Sequence, residues 1–181
     1  MINRIIKTRW NYWLGFLVDG ITAFSMLYYV LQMPSSDYLM VLAFVLSGVF
    51  MFSLVEYLIH AKLFHAKPGS IFKTFVLGHI AHHKDPQGYD SLPFFFASML
   101  LLIFALVVSF FLSVTIGFSM AAGILMGYIG YGLLHFLIHH YQWKRGYMKY
   151  LQVFHEGHHL KPRTNMGVSS PLWDYIFGTK Q

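Results

Sequence analysis

Four stretches of about 20 apolar residues, roughly 10–31, 38–60, 92–113 and 118–140, limit what this chain can become. Each is long enough to cross about 30 Å of hydrocarbon as a helix. In lipid, helices and closed barrels are the only structures that satisfy every backbone polar group. The composition agrees: of 181 residues, 56% are hydrophobic, 19% aromatic and 11% charged, far from the balance of a soluble domain. No charged-then-apolar presequence with a small-residue cleavage site precedes the first run, so the N terminus reads as mature sequence. Trp10, Tyr12 and Trp13 open that run as an interfacial aromatic belt would.

The thirteen basic residues give the orientation. Arg4, Lys7 and Arg9 precede the first run; Lys62, Lys67, Lys73 and Lys84 lie between the second and third; Lys144, Arg145, Lys149, Lys161, Arg163 and Lys180 follow the fourth. With four spans all of them share one side, which the positive-inside rule makes cytoplasmic. Both termini, with 61–91 and 141–181, are expected there. Topology and anionic headgroups account for the net charge of +6, so nucleic acid is not an expected partner. Zero cysteines exclude disulfides, thiolate zinc sites and cysteine-ligated iron–sulfur clusters.

Turn signals divide the polar segments. "KPG" at 67–69 and "DPQG" at 85–88 leave room for a helix near Ser70 to His82, and "KPR" at 161–163 ends another over Lys149 to Leu160. Gly123 and Gly127, four apart in the fourth run, would let a neighbouring helix come close. No flexible linker interrupts the chain, so it reads as one domain, 1–181. The expected fold is an all-α integral membrane bundle of four transmembrane helices with a cytoplasmic helical cap.

Ten of the eleven histidines fall into four spaced groups. His60 and His65 make H-x4-H, His79, His82 and His83 make H-x2-H-H, His135 and His139 make H-x3-H, and His155, His158 and His159 repeat H-x2-H-H. Residues three or four apart share a helix face, so imidazoles at 79 and 82, at 135 and 139, or at 155 and 158 can converge. His83 and His159 stand about 100° from their neighbours, which lets one helix serve two ions. Five helical steps leave His60 and His65 about 140° apart, so the helix loosens there or the pair brackets the site. The spans put all ten at one membrane depth, an agreement that isolated core histidines would not produce. Ten nitrogens exceed the positions of one ion, so two ions are expected, and the cytoplasmic helical cap is expected to hold a dinuclear histidine metal site. Imidazole accepts zinc, copper, iron or nickel. His140 stays unassigned.

Glu56 lies one turn before His60, and a carboxylate in a span needs a partner; the expectation is that it accepts from a ligating imidazole N–H, the alternative being a cytoplasmic Lys. Asp19, remote from the histidines, is expected to make a packing hydrogen bond. Asp90 and Asp174 could orient the cap or serve in an ordinary helix cap or salt bridge, and Glu156 is expected to face solvent or a Lys.

The histidine order resembles the fatty acid hydroxylase and sterol desaturase superfamily of membrane di-iron oxygenases. The likeness is closest to fatty acid 2-hydroxylases, through "EYLIHAKLFH" at 56–65, "HIAHHKDP" at 79–86, "YGLLHFLIHH" at 131–140, "FHEGHH" at 154–159 and "MGVSSPLWDYIFGT" at 166–179. The resemblance covers roughly 38–181. It implies that His60, His65, His79, His82, His83, His135, His139, His155, His158 and His159 ligate two irons, with zinc possible in an isolated protein. It also implies an O2-dependent hydroxylation of a lipid, at carbon 2 of a free or sphingolipid-linked acyl chain. A separate cytochrome b-type or ferredoxin-type electron donor is then expected, in a bacterial inner membrane or, in a eukaryote, the endoplasmic reticulum. A sterol or carotenoid hydroxylase or desaturase is the alternative within that chemistry; a membrane metal transporter or sensor is the alternative outside it.

Overall fold

The computed structural model describes residues 7–34, 37–67, 69, 71–89 and 91–181, and these are helical with no strand among them. In chain order the helices are α1 (Arg9–Leu31), α2 (Tyr38–Leu58) running on into a π-helical turn (Ile59–Phe64), α3 (Lys73–Lys84), α4 (Phe96–Phe111), α5 (Val114–His140), α6 (Gly146–Leu160) and α7 (Leu172–Phe177). Arg9–Leu31, Tyr38–Phe64 and Val114–His140 are long and apolar enough to cross a membrane, as expected of an integral membrane protein. The third apolar run is shorter than its sequence suggests. Pro93 lies just ahead of it, and the 16 residues of α4 rise about 24 Å, less than the hydrocarbon thickness of about 30 Å.

The cap helices are displaced from their expected bounds. α3 begins at Lys73 and runs to Lys84, and α6 begins at Gly146. Both end the same way: Asp85 and Lys161 leave the helical region (φ −134°, ψ 81° and φ −131°, ψ 85°) because each precedes a proline. Ser70, the expected start of the first cap helix, and Asp90 lie outside the described residues.

The chain forms two compact units, Met1–Phe52 with Tyr89–Ile129, and Ser53–Gly88 with Gly130–Gln181. In the first, the Asn11 side chain on α1 donates to Ser91 Oγ and the Leu92 carbonyl, both at 2.8 Å, and accepts from Phe94 N–H at 3.1 Å. Two turns further along α1, Asp19 takes the expected packing role, accepting from Ser98 Oγ on α4 at 2.5 Å. Met26, Ala105, Ala121 and Ala122 form a small-residue core. A Cβ on Gly123 would stand 2.1 Å from the Val45 carbonyl oxygen, so α2 and α5 touch backbone to backbone there.

In the second unit Ile138, Leu151 and Val168 make the core, with Tyr131, Leu134 and Met148 against it. Gln152, fully inside α6, donates to the Ile138 and Tyr141 carbonyls at 2.9 Å and accepts from Trp143 N–H at 3.1 Å. It thereby satisfies carbonyls that the end of α5 leaves open. Trp173 on α7 donates to Ser53 Oγ at 3.0 Å, and Phe177 stacks on Tyr57 at 5.1 Å.

Candidate metal centre

All ten spaced histidines belong to the second unit. The π-helical turn explains the first pair. Bonds of the i→i+5 kind widen the helix, so residues five apart return to one face, and the His60 and His65 rings stack 5.3 Å apart. The expected loosening after His60 is this turn.

The rings gather into two clusters. His79 Nε2 stands 3.1 Å from His60 Nε2, 3.0 Å from His65 Nε2 and 2.9 Å from His83 Nε2, and His158 Nε2 lies 3.1 Å from His83 Nε2. His155 Nε2 stands 3.2 Å from His135 Nε2, 3.0 Å from His139 Nε2 and 3.1 Å from His159 Nε2. His82 completes this second cluster, its ring 4.5 Å from that of His135 and 4.8 Å from that of His139. The sets His60, His65, His79, His158 and His82, His135, His139, His155 each have ligand atoms within 4.8 Å of one another and could hold a metal ion.

The pairing inside each cap helix differs from the sequence expectation. His79 converges with His83 (ring centroids 4.5 Å) rather than with His82 (5.9 Å), and His155 with His159 (4.8 Å) rather than with His158 (5.6 Å). The four-residue spacing keeps a pair in line, whereas the third residue leans to the other side of the helix axis. His82 therefore joins the rings of α5 and α6, and His158 joins those of α2 and α3. Each cap helix serves both clusters.

These nitrogens fit a cation and little else. A neutral imidazole nitrogen is either a donor or an acceptor, so no choice of tautomers lets one Nε2 hydrogen-bond to three others. Two nitrogens bound at about 2.1 Å to one ion stand about 3.0 Å apart at a right angle and about 3.4 Å at a tetrahedral angle, the spacing seen here. His82 Nε2 is also buried with no hydrogen-bond partner. Burial, and then the neighbouring imidazoles, drives His79 far below its ordinary value and takes His159 to about 3. Burial and imidazoles His65 and His83 hold His158 at about 4, against an opposing Thr164 hydrogen bond. Neutral rings with free lone pairs are the ligating form.

The other singled-out residues fall differently. Glu56 is buried but accepts from no imidazole: its partners are Val168 N–H at 2.6 Å, Ser169 N–H at 2.9 Å and the Ser169 hydroxyl. The expected direct contact with a ligand is replaced by an indirect one, because loop 164–169 stands in between. Asp174, fully buried, accepts from Met166 N–H at 2.6 Å and Gly167 N–H at 2.7 Å, an orienting role within the cap. His140 joins neither cluster: its Nδ1 carries a proton and donates to the Phe136 carbonyl at 3.0 Å. Glu156 is exposed, on the rim of a 370 Å³ cavity that also touches His83, His139 and His159. Sequence reasoning missed the Thr164 and Met166 carbonyls, which carry no side-chain signal, and Gln152, whose only signal is a lone amide one turn before His155.

The fatty acid hydroxylase family model matches residues 45–179. The chain belongs to that family. A fatty acid 2-hydroxylase of Macaca fascicularis is 34% identical over 97% of this chain and 49% of its own length. The dihydroceramide fatty acyl 2-hydroxylase of Arabidopsis thaliana is 35% identical over 73% of this chain and 58% of its own. A solved structure of full length scs7p, with only the hydroxylase domain visible, has a TM-score of 0.84 at 27% identity, covering 100% of this chain and 70% of that one. The chain thus spans about half the length of the curated relatives it matches most fully.

Proposed function

We propose that this fatty acid hydroxylase family member is an O2-dependent membrane lipid hydroxylase, acting at carbon 2 of a free or sphingolipid-linked fatty acyl chain. The observation that carries this reading is the convergence of ten imidazoles into two clusters, in a chain similar to proteins named 2-hydroxylases. His60, His65, His79, His83 and His158 would hold one iron; His82, His135, His139, His155 and His159 would hold the other. Bound iron would supply the oxygen and electron chemistry that side chains lack. The chain's own residues do the rest. Burial keeps the rings neutral, and helix spacing aims them.

In this reading α4 is a fourth span despite its length, and 61–91 with 141–181 form a cytoplasmic cap, supported by the one-sided distribution of Lys and Arg. A metal site at headgroup level favours carbon 2, because an amphiphile's polar end sits there while its tail stays in the bilayer. Electrons would come from a separate cytochrome b-type or ferredoxin-type protein. Lipid mass spectrometry of cells with and without the chain, a competent reductase being present, tests the proposal. The expected result is new 2-hydroxy acyl lipids and about two irons per purified chain; an unchanged lipid profile overturns it.

A further inference from the structure

Between α6 and α7 the chain crosses the first cluster as a strap. Two carbonyls of the strap meet two rings of that cluster: Thr164 O lies 2.9 Å from His158 Nδ1 and Met166 O lies 2.5 Å from His60 Nδ1. A carbonyl oxygen only accepts, so both rings carry their proton on Nδ1 and turn a bare Nε2 to the cluster. Asn165 sits between these carbonyls with φ 54°, a left-handed turn that lets both reach their rings. The strap is held by two buried carboxylates. Asp174 binds the N–H groups of Met166 and Gly167, and Glu56 binds those of Val168 and Ser169, so four consecutive backbone donors are taken up.

We propose that Glu56 and Asp174 are positioning residues which, through this strap, lock His60 and His158 in the ligating tautomer, and that the support reaches the first cluster alone. At the second cluster the corresponding nitrogen of the central ring, His155 Nδ1, is buried with no partner. Ligating histidines ordinarily donate their second N–H, and the loss of such partners weakens metal binding 10- to 100-fold. The inference rests on the metal reading above and adds an asymmetry to it: one site is preorganised by carboxylates that touch no ligand.

The test is a Zn2+ titration of the full, metal-stripped chain in detergent, counting bound ions at a fixed low free concentration and checking helix content by circular dichroism. The unaltered chain is expected to take about two ions. Glu56→Ala and Asp174→Asn, at native helix content, are expected to take about one, because each frees strap donors and lowers first-cluster affinity by about 10- to 100-fold. Glu56→Gln is expected to keep two, since its amide oxygen can accept both N–H groups that Oε1 takes now. Adding His158→Ala to Glu56→Ala should leave the count at one, whereas adding His139→Ala should take it to none; a general folding defect would not follow that pattern. Two ions in both single variants, none in both, or a reversed response to the second substitution would overturn the proposal. If neither variant folds, Ser169→Ala is read instead: one binding constant falls about 10-fold, and two unchanged constants overturn it. An unaltered chain that takes no ion removes the metal reading itself; two ions there with unchanged variants removes only this inference.

Discussion

The two histidine clusters are built from the same parts in mirrored roles. Each takes a pair from a long apolar helix, His60 and His65 or His135 and His139, and an i,i+4 pair from a cap helix, His79 and His83 or His155 and His159. Each then receives one ring from the opposite cap helix, His158 or His82. They differ in what stands behind the rings. Carbonyls of Thr164 and Met166 back the first cluster; at the second, Tyr131 lies parallel to His135 at 5.7 Å and His155 Nδ1 has no partner. The likeness shows that H-x2-H-H with a proline three residues after its last histidine is a unit that places rings in two clusters at once. The difference shows that the unit does not bring its own outer support, which here comes from a separate strap.

The crossover itself is the first thing to break. His82 sits on α3 among ligands of the first cluster, yet its ring joins the second. His82→Ala is expected to abolish the proposed hydroxylation and to weaken metal at the second cluster by 100-fold or more, about the upper end of losses seen for mere supporting partners. Counting ions in His82→Ala with His155→Ala should give no further loss, and with His79→Ala should give a chain without metal. The reverse pattern would dissolve the crossover.

Gly167→Ala attacks the support of the first cluster alone. A Cβ there would lie 2.1 Å from the Ser170 carbonyl oxygen and 2.9 Å from Asp174 Oδ2, both fixed groups. The strap must move, at a cost of about 1–3 kcal/mol, and Thr164 and Met166 move with it. Unfolding in denaturant should show that loss, accompanied by weaker metal at the first cluster and an unchanged second one.

Gln152→Ala is the counterpart on the other side. It strips partners from the Ile138 and Tyr141 carbonyls and Trp143 N–H, next to His139 and three residues before His155. Buried groups left unmatched cost about 1–3 kcal/mol, reduced if water enters the space. The expected outcome is a lower unfolding midpoint with the second cluster's ion lost first.

How far the sequence reveals this arrangement depends on what kind of atom does each job. Imidazoles spaced by three, four and five residues announce themselves, and the long apolar runs locate their helices within a few residues. The crossover does not follow from spacing counted on an ideal wheel. His79 with His82 and His79 with His83 look equally good until α3 is set against a particular neighbour. Glu56 stood out as a carboxylate in an apolar run, but its partner could not be named, because that partner is backbone more than a hundred residues on. The strap carbonyls leave no trace at all: Thr164 and Met166 act through atoms every residue possesses. The shortness of α4 shows in the sequence only as Pro93, three residues before the helix begins in an otherwise apolar run.

The smallest expected effect isolates the left-handed turn that lets the strap face the first cluster with two carbonyls. Asn165 side-chain atoms also donate to the Phe154 carbonyl at 3.2 Å and accept from Gln181 N–H at 2.9 Å, so replacing Asn165 by any small residue mixes two losses. Comparing Asn165→Gly with Asn165→Ala cancels the side-chain part, since neither keeps those bonds. What remains is the backbone. Alanine held at φ 54° costs about 1–2 kcal/mol that glycine does not, while glycine's greater freedom when unfolded takes back about 0.5–1 kcal/mol. The glycine variant is therefore expected to be more stable by about 0.5–1 kcal/mol, and to hold the first cluster's ion more tightly than the alanine variant does. Equal stability and equal binding would mean that the strap tolerates another path past His60 and His158, and the contrast between the clusters would then rest on the carboxylates alone.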